Sequence, residues 1–221
     1  MLDHTTRLIK IQLLILLLVA GCARIKQCAY EGVNRDQWQQ PERVIQSLEI
    51  RPGERIADIG SGGGYFVFPL AKAVGPNGKV YAVDVDQEMT DLVAQQAKEK
   101  GVENVEAILA KPDDPLLPFP GVDLIFTSNT YHHLGNRVSY LINLRKYLRP
   151  NGRIAIIDFD RRGWLEGMWT HYTPKEFINR EMEQAGYHLQ HDFDFLDRQS
   201  FLIFAPNQPS QQGVSPPEKS S

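Results

Sequence analysis

The stretch that most constrains this chain is Arg55-Ile-Ala-Asp-Ile-Gly-Ser-Gly-Gly-Gly-Tyr-Phe66, where an apolar run enters a cluster of glycines and leaves into a helical pattern. Glycine lets the backbone turn sharply and approach a ligand closely, so strand, glycine turn and helix in that order describe the ligand-binding end of an α/β unit. The rest of the chain follows the same rhythm. Residues 56–59, 80–83, 105–109, 122–128 and 153–158 read as strands, with helical patterns at 65–74, 87–100 and 138–148 and a broken, proline-rich stretch at 112–120. Strands joined by crossover helices predict a parallel sheet. Near the end, 187–195 and 201–205 are two strands in succession, which predicts a final hairpin whose last strand inserts antiparallel to its neighbour.

Flanking segments complete the plan. Val44, Ile45 and Leu48 at helical spacing predict a short helix over 41–48, stopped by Arg51-Pro52-Gly53. Thr173-Pro174-Lys175-Glu176 has the form of a capping box with proline at the first helical position, opening a helix that runs to Ala185 and is closed by Gly186. The 221 residues suit one domain, placed at 41–205, after a polar tether at 22–40 and before a Pro-, Gln- and Ser-rich tail at 206–221 expected to be disordered. A formal charge of -3 and the absence of a polybasic run give no electrostatic argument for nucleic acid.

The two cysteines, Cys22 and Cys28, are too few for a disulfide framework and lack the spacing of a metal site, so no metal is expected. Cys22 has another context. Arg7 and Lys10 precede an uncharged apolar run at 13–20, which is too short to span a bilayer and ends in Val19-Ala20-Gly21-Cys22. This order resembles the signal and lipobox of bacterial lipoproteins, with 1–21 removed and Cys22 carrying lipid. It implies a membrane-anchored protein of the bacterial cell envelope, or a cytoplasmic one if the signal is not processed.

The glycines stand as Gly60-x-Gly62-x-Gly64, and the third position of a dinucleotide fingerprint falls on Tyr65. Asp58 just before the turn would repel a pyrophosphate, whereas beside an α-ammonium it is favourable. Asp84 closes the second strand, at the distance where nucleotide-binding sheets place an acid on ribose hydroxyls.

These segments, with those around 123–134 and 148–158, resemble the class I S-adenosylmethionine-dependent methyltransferases, especially the group of ubiquinone/menaquinone-biosynthesis methyltransferases, over roughly 41–205. The resemblance implies a Rossmann-like α/β fold with a seven-stranded, mostly parallel sheet, its last strand antiparallel. It implies S-adenosyl-L-methionine as cofactor, its methionine part held by Asp58 and the Gly60, Ser61, Gly62 and Gly64 loop, its ribose by Asp84, its adenine near Val85. The acid such families place after the third strand is replaced by Ala110-Lys111-Pro112, which leaves Asp113 or Asp114 to meet the adenine amino group. Asn129 falls where the family lines the path to the sulfonium.

Methyl transfer is a displacement at carbon already activated by positive sulfur, so alignment supplies most of the catalysis and a base is needed only if the acceptor loses a proton. His132 and His133 lie at the rim after the fourth strand as candidates for that base, or as packing residues of the loop. Asp158 and Asp160 end the fifth strand on the same rim, before a loop with Trp164, Trp169, His171 and Tyr172 that suits either a lid over a planar, apolar acceptor or a cover for the core edge. The expected function is methyl transfer to a small molecule. The alternatives are an NAD(P)-dependent oxidoreductase, disfavoured by glycine spacing and the terminal strand pair, and a cofactor-binding scaffold without turnover.

Overall fold

The computed structural model describes residues 34–160 and 172–208. The expected signal segment, Cys22 and Cys28, the aromatic loop apart from Tyr172, and the tail from 209 lie outside the described residues. Along the chain run α1 (Arg35–Gln39), α2 (Pro41–Ser47), β1 (Arg55–Ile59), α3 (Val67–Val74), β2 (Lys79–Asp84), α4 (Gln87–Glu99), β3 (Val105–Leu109), β4 (Val122–Ser128), α5 (Arg137–Leu144), β5 (Leu148–Phe159), α6 (Lys175–Gln184), β6 (Tyr187–Phe193) and β7 (Gln199–Pro206). Short 3-10 turns, Tyr131–His133 and Arg145–Tyr147, precede and follow α5.

The seven strands form one sheet in the order β3-β2-β1-β4-β5-β7-β6. The five strands β1 to β5 are mutually parallel, and β7 lies antiparallel between β5 and β6, as the strand pair at the end of the sequence predicts. Central strands are apolar on both faces because helices cover both. Alternate residues therefore feed two cores. Ile56, Val80, Leu124, Phe126 and Ala155 face Val44 of α2 and Leu48 at its C-cap, Leu70 and Val74 of α3, and Val93 of α4. Their neighbours Ala57, Tyr81, Ile125, Ile154 and Ile156 face Leu141 and Leu144 of α5 and Ile178 and Met182 of α6. Each fully buried large apolar side chain contributes about 1.5–3 kcal/mol, which makes a one-residue slip of any central strand prohibitive.

The structure corrects the sequence-based plan in three places. The tether expected at 22–40 stops short, because α1 is folded onto the sheet: Gln39 is fully buried and Trp38 packs against Phe159 with ring centroids 5.7 Å apart. The helix expected at 138–148 ends at Leu144, and β5 begins at Leu148 instead of Arg153. Pro150-Asn151-Gly152 read as a stop, yet a register shift between Val122 and Leu124 lets the strand absorb it. The expected capping box does not form. Pro174 occupies the N-cap of α6 without a side-chain bond, and Thr173 is buried with its amide donating to Phe159 O.

Candidate functional site

The strand order reverses between β1 and β4, since the chain lays β2 and β3 on one side of β1 and β4 and β5 on the other. Loops leaving the carboxyl ends of β1 and β4 diverge there, and the crevice between them is the ligand position of open α/β sheets. The glycine turn occupies it. The amides of Gly60 and Ser61 both donate to Val83 O, at 2.8 and 3.1 Å, which pins the turn to β2. Gly60 has φ +73°, and a Cβ there would lie 2.1 Å from Thr130 Oγ1, so only glycine lets the loop after β4 pack over the turn. A Cβ at Gly62, φ +50°, would meet open space, which leaves the backbone approachable there.

Asp84 stands across the turn at the end of β2. Its carboxylate accepts from Gly62 N–H at 2.8 Å and from Asp86 N–H at 3.0 Å, one oxygen each. A carboxylate has about four acceptor directions, so this arrangement orients the group and still leaves capacity for hydroxyl donors.

A cavity of about 940 Å³ opens at this point. Gly60, Ser61, Gly62, Asp84, Val85, Asp113, Asn129 and His133 line it, together with Arg35, Met89, Thr130 and Tyr140. Asp58, Gly64 and His132 are absent from its wall. Gly64 instead closes a packing contact, its Cα facing Phe68 and Val93. Asp58 is buried beneath the turn. Burial pushes its carboxyl from the ordinary 3.8 up to about 7, opposed by the positive charge of Arg35 and reinforced by the negative charge of Asp84. Both acids offered for the adenine side border the cavity, and the carboxylate of Asp114 is already engaged as a brace. Burial works against the Asp114 charge, but bonds from Tyr147 OH (2.6 Å), Leu116 N (2.9 Å) and Lys146 Nζ (3.0 Å) prevail and hold its carboxyl below the usual range.

At the end of β4, Asn129 has φ +57°, donates its amide to Ile157 O at 2.9 Å, and accepts at its side-chain oxygen from Gln199 Nε2. The following 3-10 turn is held from two sides. Tyr131 OH donates to Glu181 at 2.6 Å, and Arg137 grips the same carboxylate with Nε and an Nη at 2.7 and 2.9 Å. His132 bonds to Asp158, a fully buried carboxylate at the end of β5, through its backbone amide at 2.9 Å and its Nδ1 at 2.7 Å. A carboxylate only accepts, so Nδ1 carries the proton and Nε2 is the basic nitrogen. The His133 ring lies against it, with centroids 4.0 Å apart. The 3-10 turn thus presents one histidine to the cavity and fixes the other to β5.

Sequence reasoning missed Arg35 and Gln39. Gln39 Nε2 donates to Ser128 Oγ at 2.8 Å, joining α1 to the end of β4, and Arg35 borders the cavity with its guanidinium 3.9 Å from the Tyr65 ring centroid. A five-residue helix has too few turns to show periodicity. Asp158 was placed on the correct rim, but nothing in its spacing from His132 announces the bond. His188 and His191, on β6, are exposed and form no part of the cavity wall. Among the described residues there is no group of three or more His, Cys, Asp or Glu that could hold a metal ion, and no helix long and apolar enough to cross a membrane.

A mostly parallel sheet with an antiparallel seventh strand, and an acid facing a glycine turn at its switch point, define a nucleotide-type cofactor-binding α/β domain. Comparison with known proteins sharpens this. The model of the methyltransferase domain family matches residues 50–197, and the chain belongs to that family. Among relatives, nocamycin O-methyltransferase of Saccharothrix syringae is 31% identical over 114 residues, covering 52% of this chain and 41% of that protein. The ubiquinone/menaquinone biosynthesis C-methyltransferase of Burkholderia mallei is 28% identical over 120 residues, covering 53% and 48%. The chain thus spans about half the length of these relatives. Among solved structures, a SAM dependent methyltransferase from Aquifex aeolicus superposes with a TM-score of 0.74 at 26% identity, covering 81% of this chain and 96% of that one.

The cofactor of that class is S-adenosylmethionine, and the residues present fit it. The buried Ser61 hydroxyl has no hydrogen-bond partner at the cavity wall, Gly62 leaves a gap where a side chain would stand, and Asp84 offers acceptor capacity to a pair of hydroxyls. The NAD(P) alternative lacks the glycine spacing, since its third position falls on Tyr65.

Proposed function

We propose that this domain transfers a methyl group from S-adenosylmethionine to a small-molecule acceptor. The observation that carries the reading is the union, in one cavity at the β1/β4 switch point, of the glycine turn, the oriented Asp84 carboxylate and the partnerless Ser61 hydroxyl. When bound, the cofactor supplies a methyl group on positively charged sulfur. Asp84 accepts from the ribose hydroxyls. Val85 and Met89 give the adenine an apolar flank, and Asp113 receives its amino group. The turn from Gly60 to Gly64, with Ser61 and the underlying Asp58, takes the amino-acid part, and Asn129 borders the approach to sulfur.

The acceptor side is formed by the rim after β4 and β5. His133, on the cavity wall, is the imidazole that meets the acceptor and takes its proton where one must leave, and the His132–Asp158 pair packed against it holds that ring in place. A preorganised base of this kind contributes about 10²–10⁴-fold in rate where the acceptor must lose a proton. The two named relatives methylate different atoms, oxygen in one and carbon in the other, so the domain type is compatible with either.

The same reading includes a place in the cell. Arg7 and Lys10, the apolar run at 13–20 and Ala20-Gly21-Cys22 support export and lipidation at Cys22, with the domain held at the bacterial envelope membrane. The several acyl chains of a lipoprotein anchor firmly where a single one does not. Metabolic labelling with radioactive palmitate, compared between the natural chain and Cys22→Ser, tests this; label retained by the variant refutes it. The cofactor reading is tested by calorimetric titration of the full chain with S-adenosylmethionine and with NADH. Micromolar binding of the first alone is expected, and preference for NADH refutes it.

A further inference from the structure

We propose that Arg35, on the short helix ahead of the domain, binds the α-carboxylate of the cofactor's amino-acid head opposite Asp58, so that the two residues form a receptor for a zwitterion. The inference rests on the cofactor reading above and adds to it a selectivity, for ligands that keep an intact carboxylate. Its first support is position. Arg35 lines the same cavity as Gly60, Ser61, Gly62 and Gly63. The positive charge of Arg35, on the cavity wall, acts on Asp58, the acid buried under the turn.

The second support is how firmly the helix is held for its size. Five residues do not make a stable helix by themselves. Here Gln39 is fully buried and bonds to Ser128 Oγ, Asp36 accepts from Tyr65 OH at 2.6 Å, and Trp38 packs on Phe159. The Arg35 guanidinium stacks over Tyr65, and its Nε donates to Gln39 Oε1. Stacking and the Nε bond fix the plane of the guanidinium, and its two terminal nitrogens carry the four N–H groups that match a carboxylate in fork geometry. Tyr65, directly after the glycine turn, and Ser128, at the end of β4, are the supports. Arg35 is thereby braced from both sides of the switch point.

An amino-acid head brings an ammonium and a carboxylate together. An acid alone at the turn would favour the ammonium and repel the carboxylate, so a cation on the opposite side completes the recognition. A purely structural Arg35, needed to stack on Tyr65 and hold Gln39, predicts a different outcome, because its loss would weaken every ligand of the cavity alike.

The discriminating probe is decarboxylated S-adenosylmethionine, which keeps the ammonium and lacks only the carboxylate. In calorimetric titration of the full chain, S-adenosylmethionine is expected to bind about 10- to 100-fold more tightly than the decarboxylated form, the span of one charge-assisted pair. Arg35→Ala is expected to lose that factor for S-adenosylmethionine and to bind the decarboxylated form within about threefold of the natural chain, with Arg35→Lys recovering part of the difference. Equal weakening of both ligands by Arg35→Ala, or equal affinity of the natural chain for both, overturns the proposal. Failure of the natural chain to bind either ligand overturns the cofactor reading itself. The comparison on the natural chain stands even where a variant fails to fold.

Discussion

Replacing Asp58 with asparagine should stabilise the cofactor-free protein at neutral pH, although Asp58 stands under the binding turn. The side chain is 3% exposed, and burial raises its carboxyl from 3.8 to about 7. In the unfolded chain the group ionises near 3.8. The folded state therefore binds the extra proton between those two values, and stability is full below 3.8, falls as pH rises toward 7, and levels off above it. At 1.36 kcal/mol per pH unit the loss is about 4 kcal/mol, an upper value because neighbouring groups and water relax around the charge. Asparagine has nearly the same volume and cannot ionise, so the advantage of Asp58→Asn over the natural chain should grow by roughly that amount between pH 4 and pH 8. Urea unfolding of the cofactor-free protein across that range, followed by tryptophan fluorescence, measures it. An advantage independent of pH, or one that grows toward acid, would refute burial as the controlling factor. Saturating S-adenosylmethionine should flatten the slope for the natural chain, since an ammonium beside the carboxylate favours its charged form.

Asp84→Ala should weaken S-adenosylmethionine binding by about 10- to 100-fold in calorimetry, because it removes charge-assisted acceptors for the ribose and releases the Gly62 amide that they orient. Gly60→Ala should lower stability by roughly 2–4 kcal/mol, from left-handed backbone strain and the collision with Thr130, read as a fall in melting temperature; Thr130→Gly in the same chain should restore part of it. His133→Ala should reduce kcat about 10²–10⁴-fold with an acceptor that loses a proton, leaving S-adenosylmethionine affinity within about threefold. An unchanged kcat would make the histidine pair a brace for the loop.

The sheet and its switch point were legible because parallel strands at the centre of an α/β domain write themselves as uninterrupted apolar runs. β3 and β4 have the bounds that the sequence predicts, and β7 took the inserted antiparallel place that two successive strands required. Errors fell where local chemistry and tertiary packing disagreed. Arg149-Pro150-Asn151-Gly152 has strong turn chemistry, yet pairing with Val122 draws Leu148 into β5. Thr173 had the form of a cap, but burial against the end of β5 takes it away from the helix. In the site, Asp84 and the glycines were visible because their roles depend on neighbours in sequence. Arg35 and the Asp158 partner of His132 were not, since each acts across the fold, on residues brought close only by the sheet.

The insertion of β7 between β5 and β6 also bears on how the chain is made. On a ribosome β5 emerges roughly forty residues before β7, a wait of a few seconds at about 5–20 residues per second. During that interval the edge from Ile154 to Ile157 has no native partner, and β6, which arrives first, runs in the direction that would let it pair with β5 in parallel. The native order excludes that pairing. β6 must therefore be held off until β7 is available, and the simplest route is for the two to close as a hairpin in advance and dock together, which makes the final strand the timing element of nascent-chain folding.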